Sequence, residues 1–277
     1  GPFREPRVRQ AFEVVLKSAD LIYAREPASF QHARELSSTA SNLRQAPDFT
    51  NLMAGTLPTG FEVPGRMACI VPNHQMIAKT AEREKAAYLA FLARCVVRLQ
   101  QIGLAPVILL HDAVMDEALV APLQQAIGKP VPVIRDRSPG NLKGILGCAE
   151  VVVGSRFHAL VGALSQGVPC IAAGWSHKYE MLFADYGCAD CVLSPTASDA
   201  QIGETLERVT AQPARSNLIS VLQESSAAQK RLVTEMWREV DRGLDVSTGD
   251  TESRVDPLAS GNAGGGPSSP AGGRDAS

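Results

Sequence analysis

A doubly wound parallel α/β sheet is the fold this sequence predicts from residue 67 onward, and three observations predict it. Six short runs, residues 67–72, 106–111, 131–135, 150–154, 168–174 and 190–193, are mostly apolar and rich in β-branched residues. Strands covered by helices on both faces need such runs. Helical patterns fill the intervals at about 80–102, 114–127, 139–147, 157–166, 178–187 and 198–211, so strand and crossover alternate as right-handed βαβ units require. Polar clusters follow the strands, and in such sheets ligands bind beyond the strand carboxyl ends.

The preceding residues are organised differently. Residues 8–18 carry apolar side chains at helical spacing, and "ADLIYARE" (19–26) is a short strand entering a polar turn. Pro27 suits the first turn of a helix reaching about residue 38. Residues 37–66 hold Pro47, Pro58, Gly60, Pro64 and Gly65, which makes this stretch turn-rich. The expected division is an N-terminal segment over 1–50, a linker over 51–66 and the main domain over 67–243. Within it, 216–242 is one long amphipathic helix with Leu218, Val221, Leu222, Leu232, Val233, Met236, Trp237 and Val240 as its buried stripe. Residues 244–277 are Gly-, Ser-, Ala- and Pro-rich, with almost nothing to bury, and are expected to be disordered.

A formal charge of −2 provides no global basic field for nucleic acid. No apolar run approaches the roughly 20 residues of a membrane-spanning helix, and the N-terminus has no apolar signal-peptide core. With no initiator Met, residue 1 is expected to be a processed end, a tag remnant or a truncation point. Cys69, Cys95, Cys148, Cys170, Cys188 and Cys191 follow no secreted disulfide spacing, so a reducing compartment, the cytoplasm including the inner face of the membrane, is expected. The single CxxC, Cys188 to Cys191, has no second ligand pair, so structural thiols and no metal site are expected.

Two strand-to-helix junctions carry the candidate chemistry. The first is Gly154-Ser155-Arg156-Phe157-His158, in which Ser155 is a natural N-cap and the first-turn N–H groups favour an anion. Arg156 there opposes the helix dipole, a placement that calls for something negative nearby. The second is Gly174-Trp175-Ser176-His177-Lys178-Tyr179, where Gly174 lets the chain turn, Ser176 caps and Lys178 again places a cation at a helix start. The plainer reading is a pair of capped helices with surface cations, a packed Trp175 and a core histidine. Two adjacent loops with the same unfavourable placement favour an anionic ligand over it.

Asn73-His74-Gln75 and His111-Asp112 lie on the same carboxyl edge, and Arg25, Glu26 and Ser29 approach it from outside the main sheet. No P-loop, GxGxxG or GxSxG motif is present, which argues against a P-loop kinase, a dinucleotide oxidoreductase and an α/β-hydrolase.

"VVVGSRFHALVGALSQGVPCIAAGWSHKYEMLFADYG" resembles the C-terminal signature of the polysaccharide pyruvyl transferase family. "GPFREPRVR", "ADLIYAREPAS", "APDF" and "SPGNLKGILGCAEVVVGSRFHA" resemble the family's other elements in order. The resemblance spans residues 1 to about 190. It implies the C-terminal Rossmann-like half of a GT-B-type two-domain fold, with most of the N-terminal half missing and the cleft therefore incomplete. It further implies pyruvyl transfer from phosphoenolpyruvate to sugar hydroxyls as a ketal, in exopolysaccharide or cell-envelope glycan biosynthesis. By the same matching His158 is the catalytic residue, and Arg156, Lys178 and Arg25 are donor-binding cations; Gly154, Ser155 and Ser176, read from the two junctions themselves, complete the expected substrate-binding set. Phosphoenolpyruvate is then the donor substrate with no further cofactor, and a glycan or lipid-linked sugar is the acceptor.

Two rival readings follow from fold analogy. One is a nucleotide-sugar glycosyltransferase or sugar epimerase, with Glu180 at the position of a ribose-gripping acid. The other is an inactive fragment acting only as a binding module.

Overall fold

The computed structural model describes residues 2–37, 40–174 and 176–243. Trp175 and the tail expected to be disordered lie outside the described residues.

The chain opens with α1 (Pro6–Ser18), β1 (Ile22–Ala24), α2 (Pro27–Leu36) and β2 (Leu43–Gln45). Strands β1 and β2 form a separate two-stranded parallel sheet, with Ile22 opposite Leu43 and Ala24 opposite Gln45. Asn42 fastens β2 to the end of α1, its Nδ2 donating to the carbonyls of Leu16 and Ala19. β2 falls in the stretch expected to be irregular, and it is three residues long with Leu43 alone buried. After it, a 3-10 turn at Phe49–Leu52 is capped by Asp48, which accepts from the Thr50 N–H at 3.0 Å.

The main domain follows as β3 (Met67–Val71), α3 (Gln75–Ala78), α4 (Glu82–Gln101), β4 (Ala105–Leu110), α5 (Val120–Ile127), β5 (Val133–Arg135), α6 (Pro139–Gly147), β6 (Val151–Gly154), α7 (Phe157–Leu164), β7 (Cys170–Ala173), α8 (His177–Asp185), β8 (Val192–Leu193), α9 (Asp199–Thr210) and α10 (Ala214–Gly243). The six strands are parallel in the order β5-β4-β3-β6-β7-β8. The chain winds outward from β3 in one direction and from β6 in the other, so the topological switch point lies between these two strands. Every residue of β3 and β6 is buried, as their continuous apolar runs require. Gly154 ends β6 opposite Val71, where a Cβ would stand 2.8 Å from the Val71 carbonyl oxygen. All the cysteines are free. Burial pushes the Cys188 and Cys191 thiols up to about 12.

Two expectations need correction. Ser155 does not cap α7: the N-cap is Arg156, with no side-chain cap bond, and the Ser155 hydroxyl is buried with no hydrogen-bond partner. The extended β6 backbone carries one residue farther than the cap pattern implies. In α10 the expected stripe is only partly buried. Leu222 and Val233 are fully covered, but Val221, Leu232 and Trp237 are exposed. The helix packs on α9 and the Phe49–Leu52 turn, and Ser226 Oγ donates to the Ser165 carbonyl at 2.7 Å. Its far end meets the small sheet, where Glu239 accepts from the Tyr23 hydroxyl at 2.5 Å and from Arg44 Nε at 3.0 Å. Among the described residues no helix is long and apolar enough to cross a membrane.

The 53–57 segment lies flat on α6, with the Thr56 N–H donating to the Gly140 carbonyl at 2.9 Å. A Cβ on Gly144 would stand 1.8 Å from the Thr56 carbonyl oxygen, so this approach requires glycine. Gly144→Ala is expected to destabilise the protein by about 1–3 kcal/mol, the range for overpacking. Gly203→Ala, whose Cβ meets nothing within 4 Å, should leave stability unchanged or slightly higher. Thermal unfolding of the two variants checks this, and equal midpoints would contradict it.

Candidate functional site

The switch point is closed by a buried polar network. Asp116, between β4 and α5, is fully buried. Its Oδ1 accepts from the His74 N–H at 2.9 Å and from Arg156 Nη2 at 2.6 Å, and its Oδ2 accepts from Arg156 Nε at 2.8 Å. Asp112 Oδ2 lies 3.3 Å from Arg156 Nη2. Asn73 joins the two strand ends, its Nδ2 donating to the Ser155 carbonyl at 2.6 Å and its N–H to the Tyr88 hydroxyl at 2.9 Å. Tyr179 also donates to the Ser155 carbonyl, at 2.6 Å, which ties α8 to the end of β6. The negative partner that Arg156 called for is therefore the protein itself. Its guanidinium is gripped bidentately by Asp116, the strong form of this pairing.

Beside this network, facing the small sheet, is a cleft of about 430 Å³. Arg25, Glu26 and Asp48 reach it from the ends of β1 and β2, His158 from the first turn of α7, and His177 and Lys178 from the first turn of α8. Phe157 organises its cations. Arg25 Cζ stands 4.0 Å from the Phe157 ring centroid and Lys178 Nζ stands 5.4 Å from it, within cation–π range. Burial, and then the charges of Arg25 and Lys79, hold the Lys178 ammonium below its ordinary value.

Two buried carboxylates fix the other side chains. Asp48 Oδ2 accepts from Arg25 Nη1 at 3.0 Å and lies 3.5 Å from His158 Nε2. Burial opposes ionisation of Asp48, but hydrogen bonds from His158 and Thr50 outweigh it and hold the carboxyl below the usual range. Glu26 caps α2, accepting from the N–H groups of Ala28 at 2.8 Å and Ser29 at 3.0 Å and from the Ser29 hydroxyl. Its Oε1 lies 3.5 Å from His177 Nε2. Burial works against Glu26 ionising as well, and the bonds from Ser29 and Ala28 reverse the direction.

Of the residues singled out from sequence, His158, Arg25 and Lys178 come together in this cleft. Arg156 stands behind it, 17% exposed and paired with Asp116 and Asp112. Gly154 and Ser155 are buried at the strand end, and Ser176 is the N-cap of α8 without a side-chain cap bond. Asp48, His177 and Asp116 had no role in the sequence reading, and Asp48 was visible there only inside "APDF". Glu180 is exposed on α8 and does not line the cleft. A larger cleft of about 540 Å³ between α4 and α9 lies at the opposite, amino edge of the sheet, where Arg66 is already bonded to Glu150.

Asp48→Asn should lower stability at neutral pH by about 1–3 kcal/mol, as expected on losing hydrogen bonds to a charged group. The folded carboxyl is held below the ordinary value of 3.8, so its contribution is complete above that pH and fades on acidification. The difference between wild type and variant, followed by denaturant unfolding, should be constant from pH 7 to pH 5 and shrink below about pH 4. A difference that grows on acidification would contradict this assignment.

Comparison with solved structures places the fold. UDP-GlcNAc 2-epimerase from Neisseria meningitidis, bound to UDP-GlcNAc, superimposes with a TM-score of 0.54 at 10% identity, over 87% of this chain and 65% of that one. Anabaena HepE in complex with UDP-glucose gives 0.53 at 12% identity, over 85% and 67%. Accessory secretory protein 1, 2 and 3 in Streptococcus pneumoniae gives 0.52 at 10%, over 86% and 46%. At such identities the likeness is one of fold, the Rossmann-like architecture of GT-B-type sugar enzymes, and the chain spans about half to two-thirds of their length. No curated protein sequence matches the chain. The sequence pattern that does match covers residues 1–177, from the first helix through the His158 junction to the start of α8, and by it the chain belongs to the polysaccharide pyruvyl transferase family.

Proposed function

We propose that this chain carries the donor site for pyruvyl transfer from phosphoenolpyruvate to sugar hydroxyls, forming a ketal. The observation that carries the reading is the convergence of Arg25 and Lys178 on one aromatic ring beside His158. Asp48 meets one side of Arg25, but the 39% exposed guanidinium still acts on the Lys178 ammonium, and a ligand bearing both a carboxylate and a phosphate relieves that remaining repulsion. His158 is 58% exposed on its side chain, and Asp48 at 3.5 Å orients its ring. It is the group suited to give a proton to the donor methylene carbon. C2 then carries positive charge and takes one sugar hydroxyl. The bond from C2 to the phosphate oxygen breaks, and a second hydroxyl closes the ketal. Of the two hydroxyl protons released, one replaces the proton given by His158 and the other leaves with phosphate.

Arg156 acts in this scheme by position, holding the start of α7 through Asp116 rather than meeting the donor. The nucleotide-sugar reading gains less support. The switch point, where a dinucleotide fold receives its phosphates, is filled by Asp116, Arg156 and Asn73, and Glu180 does not line the cleft.

Phosphoenolpyruvate should raise the thermal midpoint of the full chain, whereas UDP and GDP should not. Lys178→Met should abolish that rise. With an acceptor present, His158→Gln should keep the rise but lose phosphate release by about 100-fold or more, the usual scale of a lost proton donor. Wild-type turnover in His158→Gln, or stabilisation by UDP alone, would overturn the assignment.

A further inference from the structure

His158 also borders a second cavity, of about 260 Å³, which none of Arg25, Glu26, His177 or Lys178 lines. Its wall is largely apolar, built from Met53, Pro139 and Leu146, and its most buried polar residue is Lys143 of α6. Lys143 is 4% exposed. Its Nζ donates to the Thr50 carbonyl at 2.7 Å, and among the described residues no carboxylate oxygen lies within 4.0 Å of it. An ammonium has three donors, so this one is buried with hydrogen-bonding capacity to spare, a costly state unless a ligand completes it. Burial, and then the charge of Lys230, brings the ammonium down to about 8, with Asp48 opposing. His111, on the same cavity, is pulled down to about 4 by burial and by the charges of His158 and Arg156, so it faces the cavity as a neutral ring.

Two cavities meeting at one imidazole match a reaction with two substrates. The first gathers the cations that a doubly anionic donor needs. The second offers one buried ammonium and the neutral His111 ring among apolar side chains, a poor site for two anionic groups but suited to a ring with one C–H face and several hydroxyls. At about 260 Å³ it falls below the roughly 300–1,000 Å³ of sites for drug-sized ligands, so it holds one ring rather than an oligosaccharide. We propose that the Lys143 cavity is the acceptor subsite and receives a single sugar ring, with Lys143 Nζ donating to a ring hydroxyl and His158 shared with the donor cleft. This assignment rests on the pyruvyl-transfer reading for its role in a reaction, but not for sugar binding itself.

The test uses saturation-transfer NMR on the full chain with the methyl β-glycosides of glucose, galactose and mannose, and calorimetry with phosphoenolpyruvate. Two variants are compared with wild type. Lys143→Met keeps the stem and removes the donors. Gly162→Ala adds a methyl to the cavity lining at 3.5 Å from Leu146 Cδ1 and 3.7 Å from Lys143 Cγ, ordinary contacts that the fold accommodates. At least one glycoside should give saturation transfer with wild type, and the signal should fall five-fold or more in both variants. The phosphoenolpyruvate Kd should stay within two-fold. The proposal is overturned by absence of transfer from all three glycosides in wild type, or by transfer that survives both variants. A ten-fold weaker phosphoenolpyruvate Kd in either variant also overturns it, by making the cavity part of the donor site. If phosphoenolpyruvate does not bind wild type at all, the pyruvyl-transfer reading fails, and the glycoside comparison still decides the cavity.

Discussion

The carboxyl edge of the main sheet depends on one buried carboxylate. Asp116 is fully enclosed and reaches residues distant in sequence, the backbone of His74 after β3 and the guanidinium of Arg156 after β6. A charge in that position is tolerable only because both oxygens are satisfied and the counter-charge is in direct contact. At the switch point of a doubly wound sheet the two central strands send their crossovers in opposite directions, leaving a gap that a ligand's phosphates commonly fill. Here the Asp116–Arg156 pair and the Asn73 amide fill it, and the two strand ends are joined by protein groups.

That closure determines where the chemistry sits. With Arg156 held back as the N-cap of α7, the next two residues, Phe157 and His158, are turned toward the small sheet. Phe157 then receives Arg25 on its ring, and Tyr179 draws the start of α8 against the same strand end through the Ser155 carbonyl. The cleft is displaced from the switch point to the space between the two sheets. Its two cations, Arg25 and Lys178, and the His158 imidazole come from three separate segments because no one strand end supplies them. Asp48 and Glu26 are compatible with an anion site for the same reason that Asp116 is. Each is saturated by backbone and side-chain donors and serves to hold a neighbouring cation or imidazole in place.

The main sheet was legible in the sequence because its physics is local. A strand buried on both faces must be apolar at successive positions, so β3, β4, β6 and β7 announce themselves, and β5 and β8 fall within the expected runs. Strand β2 has no such signature: Leu-Arg-Gln over residues 43–45 buries one side chain and belongs to a two-stranded sheet. The α10 stripe misled because helical periodicity marks which residues share a face but not whether anything covers it, and past Val233 little does. The cationic junctions were legible as types, but their partners were not. Arg156 and Asp116 are 40 residues apart, and Arg25 and Asp48 are 23 apart, so a reading junction by junction misses both carboxylates and cannot tell the enclosed arginine, 17% exposed, from the one left 39% exposed. Lys143, inside "GNLKGILG", looks like an ordinary helix-surface lysine until the 50–57 segment is laid across α6.

The last constraint is on distance. His158 belongs to the main sheet and Arg25 and Asp48 to the small one, so their spacing holds only while the two sheets are fixed relative to each other. The chain between them, residues 46–66, is mostly irregular and contributes Asn51, whose amide oxygen accepts from the Tyr186 hydroxyl at 2.7 Å. The second fastening is α10, which packs on α9 at one end and holds Tyr23 and Arg44 of the small sheet through Glu239 at the other. Burial and the Glu239 contact push the Tyr23 phenol up to about 12, so it remains a donor to that carboxylate across the neutral range. A 30-residue helix is about 45 Å long, enough to reach from one sheet to the other as a strut. Its partly exposed apolar face is consistent with that work, because a strut needs firm contacts at its ends more than a continuous buried stripe between them.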